Sequence, residues 1–327
     1  MVDEFAFIHS ITPGAYHHQA ILTGIGDDAA RYRINQGEDQ LVCTDTMVEG
    51  VHFLRQTMPP YAVGWKLLAS NLSDIAAMGG VPDYYLVSAA FPEKWFDDRE
   101  EIFQGMSDLA DRYMVDLIGG DTVSAPDTLV LSATVIGHMT DHRSFLRGAA
   151  KPGDSLMVTG TLGDSAAGLE LLQNKRHAGE GHTAFLIQRH QLPLPRLDAA
   201  DLIRRLPYRA ALNDISDGLA SEAYEIADAS HVSIVIEREK LPVSEALSQM
   251  PGEDQLKFVL NGGEDYELLL SVPSEAAEDY QNLFQKNHLL LTNIGKVIKA
   301  QGKPAVFLEE SGRRAKLEKS GYNHFKK

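Results

Sequence analysis

The sequence predicts a protein of two α/β domains, and three observations support this. The chain has 327 residues, which exceeds the usual size of one domain and lets each half bury its own core. Short apolar runs typical of buried strands alternate with longer segments whose apolar residues recur at a helical period. The turn-forming stretch Ala149-Ala150-Lys151-Pro152-Gly153 is typical of a domain boundary. We therefore expect domains over residues 1–148 and 149–327.

The N-terminal half predicts strands and two long helices. The first helix is supported by Trp65, Leu68, Leu72 and Ile75, which recur at helical spacing before Gly79-Gly80 ends the pattern. The second helix has Ile102, Met106, Leu109 and Tyr113 on one face. The expected order is strand, helix, strand, helix and β-rich run, at residues 40–44, 60–78, 84–91, 97–113 and 128–139.

The C-terminal half continues the alternation. A strand at 155–159 precedes a helix at 164–173, for which Asp164 or Ser165 is the expected N-cap. The Gly160-Thr161-Leu162-Gly163 turn before it can cradle a phosphate at the helix N-terminus or serve only as a cap. Further on we expect a loop at 174–182, helical segments at 184–190, 197–206, 219–229 and 274–287, and strands at 233–236, 266–272, 289–297 and 304–308.

Composition and charge exclude several kinds of protein. With 30 basic and 46 acidic residues, the formal charge is −16, which argues against nucleic acid as a partner. A small phosphorylated substrate stays possible, because bound magnesium reverses the local sign of charge. The single Cys43 cannot form an intramolecular disulfide and fits a reducing compartment. We find no signal-peptide pattern and no apolar run near ~20 residues, so we expect a cytoplasmic protein without a membrane partner.

Six short acidic motifs carry most of the functional information. Each places a carboxylate beside Gly, Ser or Thr, which suits the oxygen ligands that hard cations prefer. Two carboxylates about 4 Å apart repel by roughly 4 kcal/mol at an effective dielectric near 20, so convergence of the motifs predicts bound metal. The motifs are Gly26-Asp27-Asp28, Thr44-Asp45-Thr46, Asn71-Leu72-Ser73-Asp74, Gly119-Gly120-Asp121-Thr122, Asp214-Ile215-Ser216-Asp217-Gly218 and Gly262-Gly263-Glu264-Asp265.

Other nucleotide-binding and metal-binding patterns fit less well. Gly24-Ile25-Gly26-Asp27-Asp28-Ala29 matches a loose dinucleotide fingerprint, but residues 31–34 look extended where that fingerprint requires a helix. The P-loop pattern and the protein-kinase motifs do not occur in the sequence. His138 and His142 are four residues apart, but Gly137 precedes them and no helix is evident, so loop histidines are favoured over a zinc site.

Taken together, the motifs resemble the thiamine-monophosphate kinase family, within the aminoimidazole ribonucleotide synthetase-like superfamily. The resemblance extends from about Gly24 to Gly321-Tyr322-Asn323-His324-Phe325. Besides the acidic motifs, it rests on the segment from Val48 to Phe53 and on Tyr266-Glu267-Leu268. The resemblance implies two α/β domains, with the N-terminal sheets of two subunits joined into a barrel in a homodimer.

The resemblance also implies site residues, by motif. The implied magnesium ligands are Asp27, Thr44, Asp45, Asp74, Asp121, Asp214 and Asp217. The implied nucleotide contacts are Tyr113, Gly120, Asp121, Arg147 and Ser216, and the implied substrate contacts are His52, Glu264 and Tyr322. Cys43 departs from the family's usual hydroxyl residue, so a metal contact at this position would come from its backbone carbonyl or a water, or be missing. Asn213 replaces a residue that is usually apolar, and we give this difference little weight.

The implied reaction transfers the γ-phosphoryl group of ATP to thiamine monophosphate. Such transfer depends on positioning and charge neutralisation, which several Mg²⁺ ions held by the acidic loops would supply. The acceptor oxygen is already ionised near neutral pH, so we expect direct in-line transfer, without a catalytic base or a phosphoenzyme. Tyr322 would stack on the substrate ring, and His52 and Glu264 would orient it. The alternatives are another ATP-using enzyme of the superfamily, such as an aminoimidazole ribonucleotide synthetase, and a non-catalytic magnesium–nucleotide sensor.

Overall fold

The chain forms two compact units in a computed structural model that describes residues 4–23, 25, 30–34, 37–140, 143, 145–174 and 179–319. The N-terminal unit comprises Met1–Ile75 and Gly80–His142, and the C-terminal unit comprises Ala76–Gly79 and Arg143–Lys327. Arg143 belongs to the second unit because its guanidinium donates to the backbone carbonyls of Arg204, Leu206 and Tyr208. The predicted two-domain α/β organisation is confirmed, and the boundary at 148/149 stays a prediction.

The N-terminal unit is built on a four-stranded sheet of order β3-β6-β4-β5. Strand β3 is longer than expected, because its pairing with β6 continues as far as Val48 opposite Val130. A 3-10 turn at Glu93–Asp98 delays the start of the second long helix. The elements are α1 (Glu4–Ile11), β1 (Ile21–Thr23), β2 (Arg31–Tyr32), β3 (Gln40–Val48), α2 (Pro60–Ala77), β4 (Val81–Phe91), α3 (Arg99–Tyr113), β5 (Asp116–Ser124) and β6 (Val130–His138).

The two faces of this sheet differ in burial. Successive residues of a strand point to opposite faces. On one face Met47, Ala133 and Val87 are buried, and α2 covers β3 there, since the Cys43 thiol donates to the carbonyl of Asn71 at 3.3 Å. On the other face β3 presents Val42, which is 72% exposed. Within the described residues, this second face is the one the unit leaves partly uncovered.

The C-terminal unit contains a seven-stranded, mostly antiparallel sheet of order β13-β12-β9-β11-β7-β10-β8. Its strands are rich in Val, Ile and Leu, and β7, β8 and β10 are buried along their whole length. The elements are β7 (Ser155–Thr159), α4 (Asp164–Leu172), α5 (Glu180–Gln191), α6 (Leu197–Arg205), β8 (Ala211–Asp214), α7 (Leu219–Ser230), β9 (Val232–Glu237), α8 (Glu245–Ser248), α9 (Gly252–Asn261), β10 (Leu268–Val272), α10 (Ala277–Lys286), β11 (Leu291–Lys299), β12 (Val306–Glu310) and β13 (Arg313–Lys316). No helix in the described ranges is long and apolar enough to span a bilayer.

The expected N-cap of α4 was wrong. Gly163 occupies the cap position, and Asp164 is the first helical residue. The backbone N–H groups at the start of the helix are bonded by a residue far along the chain. The Asp265 carboxylate accepts from the N–H groups of Gly163 and Ser165. Asp164 is buried and accepts from the hydroxyls of Thr161 and Ser244 instead. The helix N-terminus is thus capped by the Gly262-Gly263-Glu264-Asp265 motif.

A cluster of His18, Asp83, Asp116 and His138 fastens the N-terminal segment to the sheet. His18 Nδ1 lies 2.7 Å from Asp116, its Nε2 lies 3.4 Å from Asp83, and Asp83 also contacts His138 at 2.8 Å. The hydrogen bond to Asp83 raises the pKa of His18, burial lowers it, and Asp116 raises it further, so the net shift is upward. Protonated His18 therefore bridges two carboxylates in the folded state.

This cluster predicts a pH dependence of stability. A raised folded-state pKa means that the stabilisation from His18 is complete below its ordinary pKa of 6.5 and is lost as the pH rises through the folded value. We expect the difference in free energy of unfolding between the native chain and His18→Gln to shrink with rising pH. Urea unfolding followed by the fluorescence of Trp65 and Trp95, both in the N-terminal unit, measures it. A difference that stays constant or grows with pH would contradict this assignment.

Candidate functional site

The N-terminal unit brings together three of the residues predicted to surround metal: Cys43, Asp45 and Asp74. Cys43 and Asp45 lie two residues apart on the covered face of β3, and Asp74 lies on α2. Burial, Asp74 and Asp45 together raise the pKa of the Cys43 thiol strongly. The thiol therefore keeps its proton and donates it to the Asn71 carbonyl. Negative charge accumulates here, and the sulfur is unsuited to bind a cation.

Thr44 and Asp121 lie on the other face of the sheet. Thr44 Oγ1 donates to the Ala133 carbonyl at 2.9 Å and accepts from Thr134. The Thr44 hydroxyl is therefore engaged within the sheet on the face opposite to Asp45, and the backbone carbonyl oxygen is the remaining candidate for a metal contact from this residue. Asp121 is exposed and pairs with Ser88 in β5 and β4, and Ser88 pairs with Ser132 in β6. Ser132 in turn pairs with Thr46, so Asp121 lies on the same face as Thr46 and on the face opposite to Asp45. The strands that carry Asp121 and Asp45 are three strand spacings apart, about 14 Å.

The residues present fit magnesium. Among the described residues, no three Asp, Glu, His or Cys side chains are grouped closely enough to hold a metal ion. Mg²⁺ does not need such a cage, because it usually binds through one or two carboxylates, several waters and substrate phosphates. Asp45 and Asp74 supply two carboxylates at one place, where both act on the Cys43 thiol. The donor set is therefore oxygen-rich and suited to a magnesium–phosphate complex.

The remaining predicted residues of this unit that the structure describes are His52, Tyr113 and Gly120. His52 follows β3, and its Nδ1 accepts from the backbone N–H of Val48 at 3.0 Å, so Nε2 carries the proton of the neutral ring. Tyr113 is the last residue of α3. At Gly120 a Cβ would come within 2.1 Å of the Val87 carbonyl, so only glycine fits there. Asp27 and Tyr322 lie outside the described residues.

The C-terminal unit places Ser216 beside Glu264. The loop after β8 and the loop before β10 are hydrogen-bonded: the Ser216 carbonyl accepts from the Glu264 N–H at 2.8 Å, and the Ile215 carbonyl accepts from the Tyr266 N–H at 2.9 Å. At Gly263 a Cβ would lie 2.4 Å from the Ser216 carbonyl, so this close pairing requires glycine. A predicted nucleotide contact and a predicted substrate contact are thus neighbours, next to Asp214 and Asp217.

The Glu264 loop is strained and is held by buried charges. Glu264 and Tyr266 have φ of +66° and +51°, in a region that costs a non-glycine residue about 1–3 kcal/mol. Burial raises the pKa of Asp265 to about 7, against the lowering effect of the Gly163 N–H group, which donates to it. Glu267 is completely buried and accepts from Arg189, Arg196 and Thr159. Burial alone would raise the pKa of Glu267, but Arg196 and Arg189 bring it below its usual range.

Arg147 is positioned by residues to which sequence reasoning gave little or no weight. Its Nε donates to Asn213 Oδ1 at 2.8 Å, and the Asn213 amide donates to the buried carboxylate of Glu222. Glu222 also accepts from the Asp217 N–H at 3.2 Å. Burial and then the charge of Asp214 raise the pKa of Glu222 to about 8. Asn213 thus links the Arg147 guanidinium to the Asp214–Asp217 segment. In the sequence, the one sign of this role was a polar residue at a position expected to be apolar.

Comparison with known proteins identifies the family of this chain. Residues 26–139 match the family model of the AIR synthase related protein N-terminal domain, and residues 151–306 match that of its C-terminal domain. A thiamine-monophosphate kinase of Bacillus subtilis (strain 168) is 46% identical over 328 residues, covering 99% of this chain and 100% of the relative.

Solved structures give the same result. The crystal structure of thiamine-monophosphate kinase from Stenotrophomonas maltophilia K279a has a TM-score of 0.82 at 34% identity, covering 91% of this chain and 93% of that one. AaThiL complexed with AMPPCP and TMP has a TM-score of 0.77 at 35% identity, covering 98% and 97% of the two chains. The expected superfamily fold is therefore confirmed for the single chain.

Proposed function

The chain belongs to the AIR synthase related family, as a thiamine-monophosphate kinase, and from this premise we propose that it transfers the γ-phosphoryl group of ATP directly to the phosphate of thiamine monophosphate. The observation that carries the proposal is the pairing of the Ser216 and Glu264 loops beside Asp214 and Asp217. This pairing sets Ser216, which we propose as a nucleotide contact, next to Glu264, which we propose as an acceptor contact. The AaThiL complex with AMPPCP and TMP supports the same two ligands.

The metal-binding role rests on carboxylates in both units. We propose that Asp45 and Asp74 hold magnesium in the N-terminal unit, with Asp27, Asp121 and the carbonyl of residue 44 as further candidates. Asp214 and Asp217 are the candidates in the C-terminal unit. When bound, magnesium would neutralise phosphate charge, which this acidic chain cannot do with its own carboxylates. Cys43 is proposed to contribute no sulfur ligand, because its thiol donates to the Asn71 carbonyl and Mg²⁺ prefers oxygen ligands.

The remaining residues are proposed to bind and orient the substrates. Arg147 would contact the nucleotide phosphates with its half-exposed guanidinium, whose Nε binds Asn213 and whose Nη1 lies 3.7 Å from Glu225. Tyr113, Gly120 and Ser216 would complete the nucleotide site. His52 would donate from Nε2 to the acceptor, because Nδ1 is fixed by Val48. Glu264 and Tyr322 would complete the acceptor site.

The experiment that tests the function measures ADP release with separate acceptors. Release should depend on thiamine monophosphate, with thiamine diphosphate as the other product. Release with the amide substrate of an aminoimidazole ribonucleotide synthetase, and none with thiamine monophosphate, would assign the chain to that activity instead. Binding of ATP without turnover with either acceptor would indicate a nucleotide sensor.

We also propose a homodimer that forms through the N-terminal sheets. The sheet has a partly uncovered face, on which Val42 is 72% and Val123 51% exposed, and its edge strands are β3 and β5. Pairing of two such sheets into a barrel would cover this face and protect both edges. Light scattering at micromolar concentration should give the mass of two chains, and a fully active monomer would refute the proposal.

A further inference from the structure

We propose that His190 is a positioning residue that holds the Glu264 carboxylate in the orientation needed to bind the acceptor. His190 lies in the last turn of α5 and is almost completely buried. Its Nδ1 lies 3.4 Å from Glu264 Oε2 and 3.1 Å from Ser165 Oγ. The inference rests on the proposed function, because it assigns a second residue to the acceptor site.

The backbone brings His190 to this position through a close helix–helix approach. In α4 a Cβ at Gly168 would lie 2.1 Å from the Leu186 carbonyl and 3.1 Å from the His190 Cβ. Only glycine at 168 allows α5 to pack this closely on α4. The last turn of α5 therefore lies next to the start of α4, where His190 contacts Ser165, and next to the loop that carries Glu264.

The acidic residues of the loop divide between two tasks. Asp265 caps α4 through Gly163 and Ser165, and Glu267 is bound by Arg189 and Arg196. Both of these carboxylates are completely buried and hold the loop in place. The Glu264 side chain is 29% exposed and directly precedes the two anchors in sequence, so it alone of the three can reach a ligand.

Holding Glu264 in one rotamer has a direct consequence for binding. A glutamate side chain on the surface samples several rotamers, and fixing it before the acceptor arrives lowers the entropy lost on binding. With Nδ1 protonated, the ring N–H group lies 3.1 Å from Ser165 Oγ and 3.4 Å from Glu264 Oε2, and its attraction for the carboxylate provides this restraint. Loss of the restraint should weaken acceptor binding and leave ATP binding intact.

The test compares two replacements of similar size. His190→Asn keeps an N–H donor where Nδ1 lies, and His190→Leu removes it. We expect His190→Leu to raise the KM for thiamine monophosphate about tenfold, with the KM for ATP and kcat within about twofold of the native values. His190→Asn should keep most of the native acceptor KM. Ser165→Ala is the matched control: it removes the other contact of the same ring and should leave the acceptor KM nearly unchanged.

A double-mutant cycle separates positioning from a general structural effect. In a Glu264→Gln background, His190→Leu should raise the acceptor KM little further, since its partner is already altered. The proposal would be overturned if the increases in acceptor KM from His190→Leu and Glu264→Gln multiplied in the double variant. It would also be overturned if His190→Asn and His190→Leu raised the acceptor KM equally, or if kcat fell while KM stayed constant. If His190→Leu does not fold, as judged by thermal unfolding, His190→Gln replaces it. A native chain without turnover of thiamine monophosphate would instead refute the proposed function.

Discussion

Replacement of Asp45 or Asp74 by Asn is expected to lower turnover by about 100-fold or more at saturating ATP, thiamine monophosphate and magnesium. This is the scale for loss of one preorganised electrostatic group. Asn keeps the size of the side chain but removes the charge, and after burial the charges of Asp74 and Asp45 are the next causes that raise the pKa of the Cys43 thiol. We expect the same loss for Asp121→Asn and Asp214→Asn, whose carboxylates are further proposed magnesium ligands. Initial rates of ADP release measure the effect.

The control for this series is Asp127→Asn, which removes one exposed carboxylate from the loop between β5 and β6. Its turnover should match that of the native chain. Circular dichroism should show that the Asp45 and Asp74 variants are folded, and removal of one repelling charge should not destabilise the metal-free protein. Near-normal rates for both variants at saturating magnesium would remove the basis for a shared metal site.

Glu267→Gln is expected to cause the largest loss of stability. Glu267 is completely buried and joins two arginines, Arg189 and Arg196, whose side chains are 14% and 18% exposed. Removal of one partner from a buried ion pair leaves the other charge without compensation and costs about 3–5 kcal/mol. The strained Glu264 loop would lose an anchor at the same time. Calorimetry should therefore show a clearly lower unfolding temperature for Glu267→Gln than for the native chain.

A matched replacement at the surface sets the scale. Glu310→Gln removes the partner of Arg238 in a pair whose side chains are 53% and 33% exposed, and such pairs contribute about 0–1 kcal/mol. The two variants remove the same carboxylate and differ in burial. If Glu267→Gln and Glu310→Gln lowered the unfolding temperature by the same small amount, the Glu267 network would not stabilise the fold as we describe.

Local patterns in the sequence are sufficient to predict much of this fold. The helical spacing from Trp65 to Ile75 predicts α2 closely, and the expected strand at 40–44 forms the first part of β3. The acidic motifs and their order predict the family. These features can be predicted from the sequence because each helix, strand or motif is defined by residues that are close together in the chain.

Features that depend on distant partners were missed. The α4 cap is supplied by Asp265, about a hundred residues away, so the local choice of Asp164 or Ser165 was wrong. The register that sets Asp121 on the face opposite to Asp45 depends on a bulge between β4 and β5, which no sequence pattern indicated. Helix α9 was not predicted. Asn213 was seen as unusual, but its partners Arg147 and Glu222 are revealed only by the fold.

The fate of the γ-phosphoryl group tests the central claim most directly. ATP with a radiolabelled γ-phosphoryl group is incubated with the enzyme, magnesium and thiamine monophosphate, and labelled thiamine diphosphate, ADP, inorganic phosphate and protein are quantified. Direct transfer predicts one labelled thiamine diphosphate for each ADP, with no labelled protein when the acceptor is omitted. Label that accumulates on the protein, or appears as inorganic phosphate at the same rate with and without the acceptor, would contradict the account.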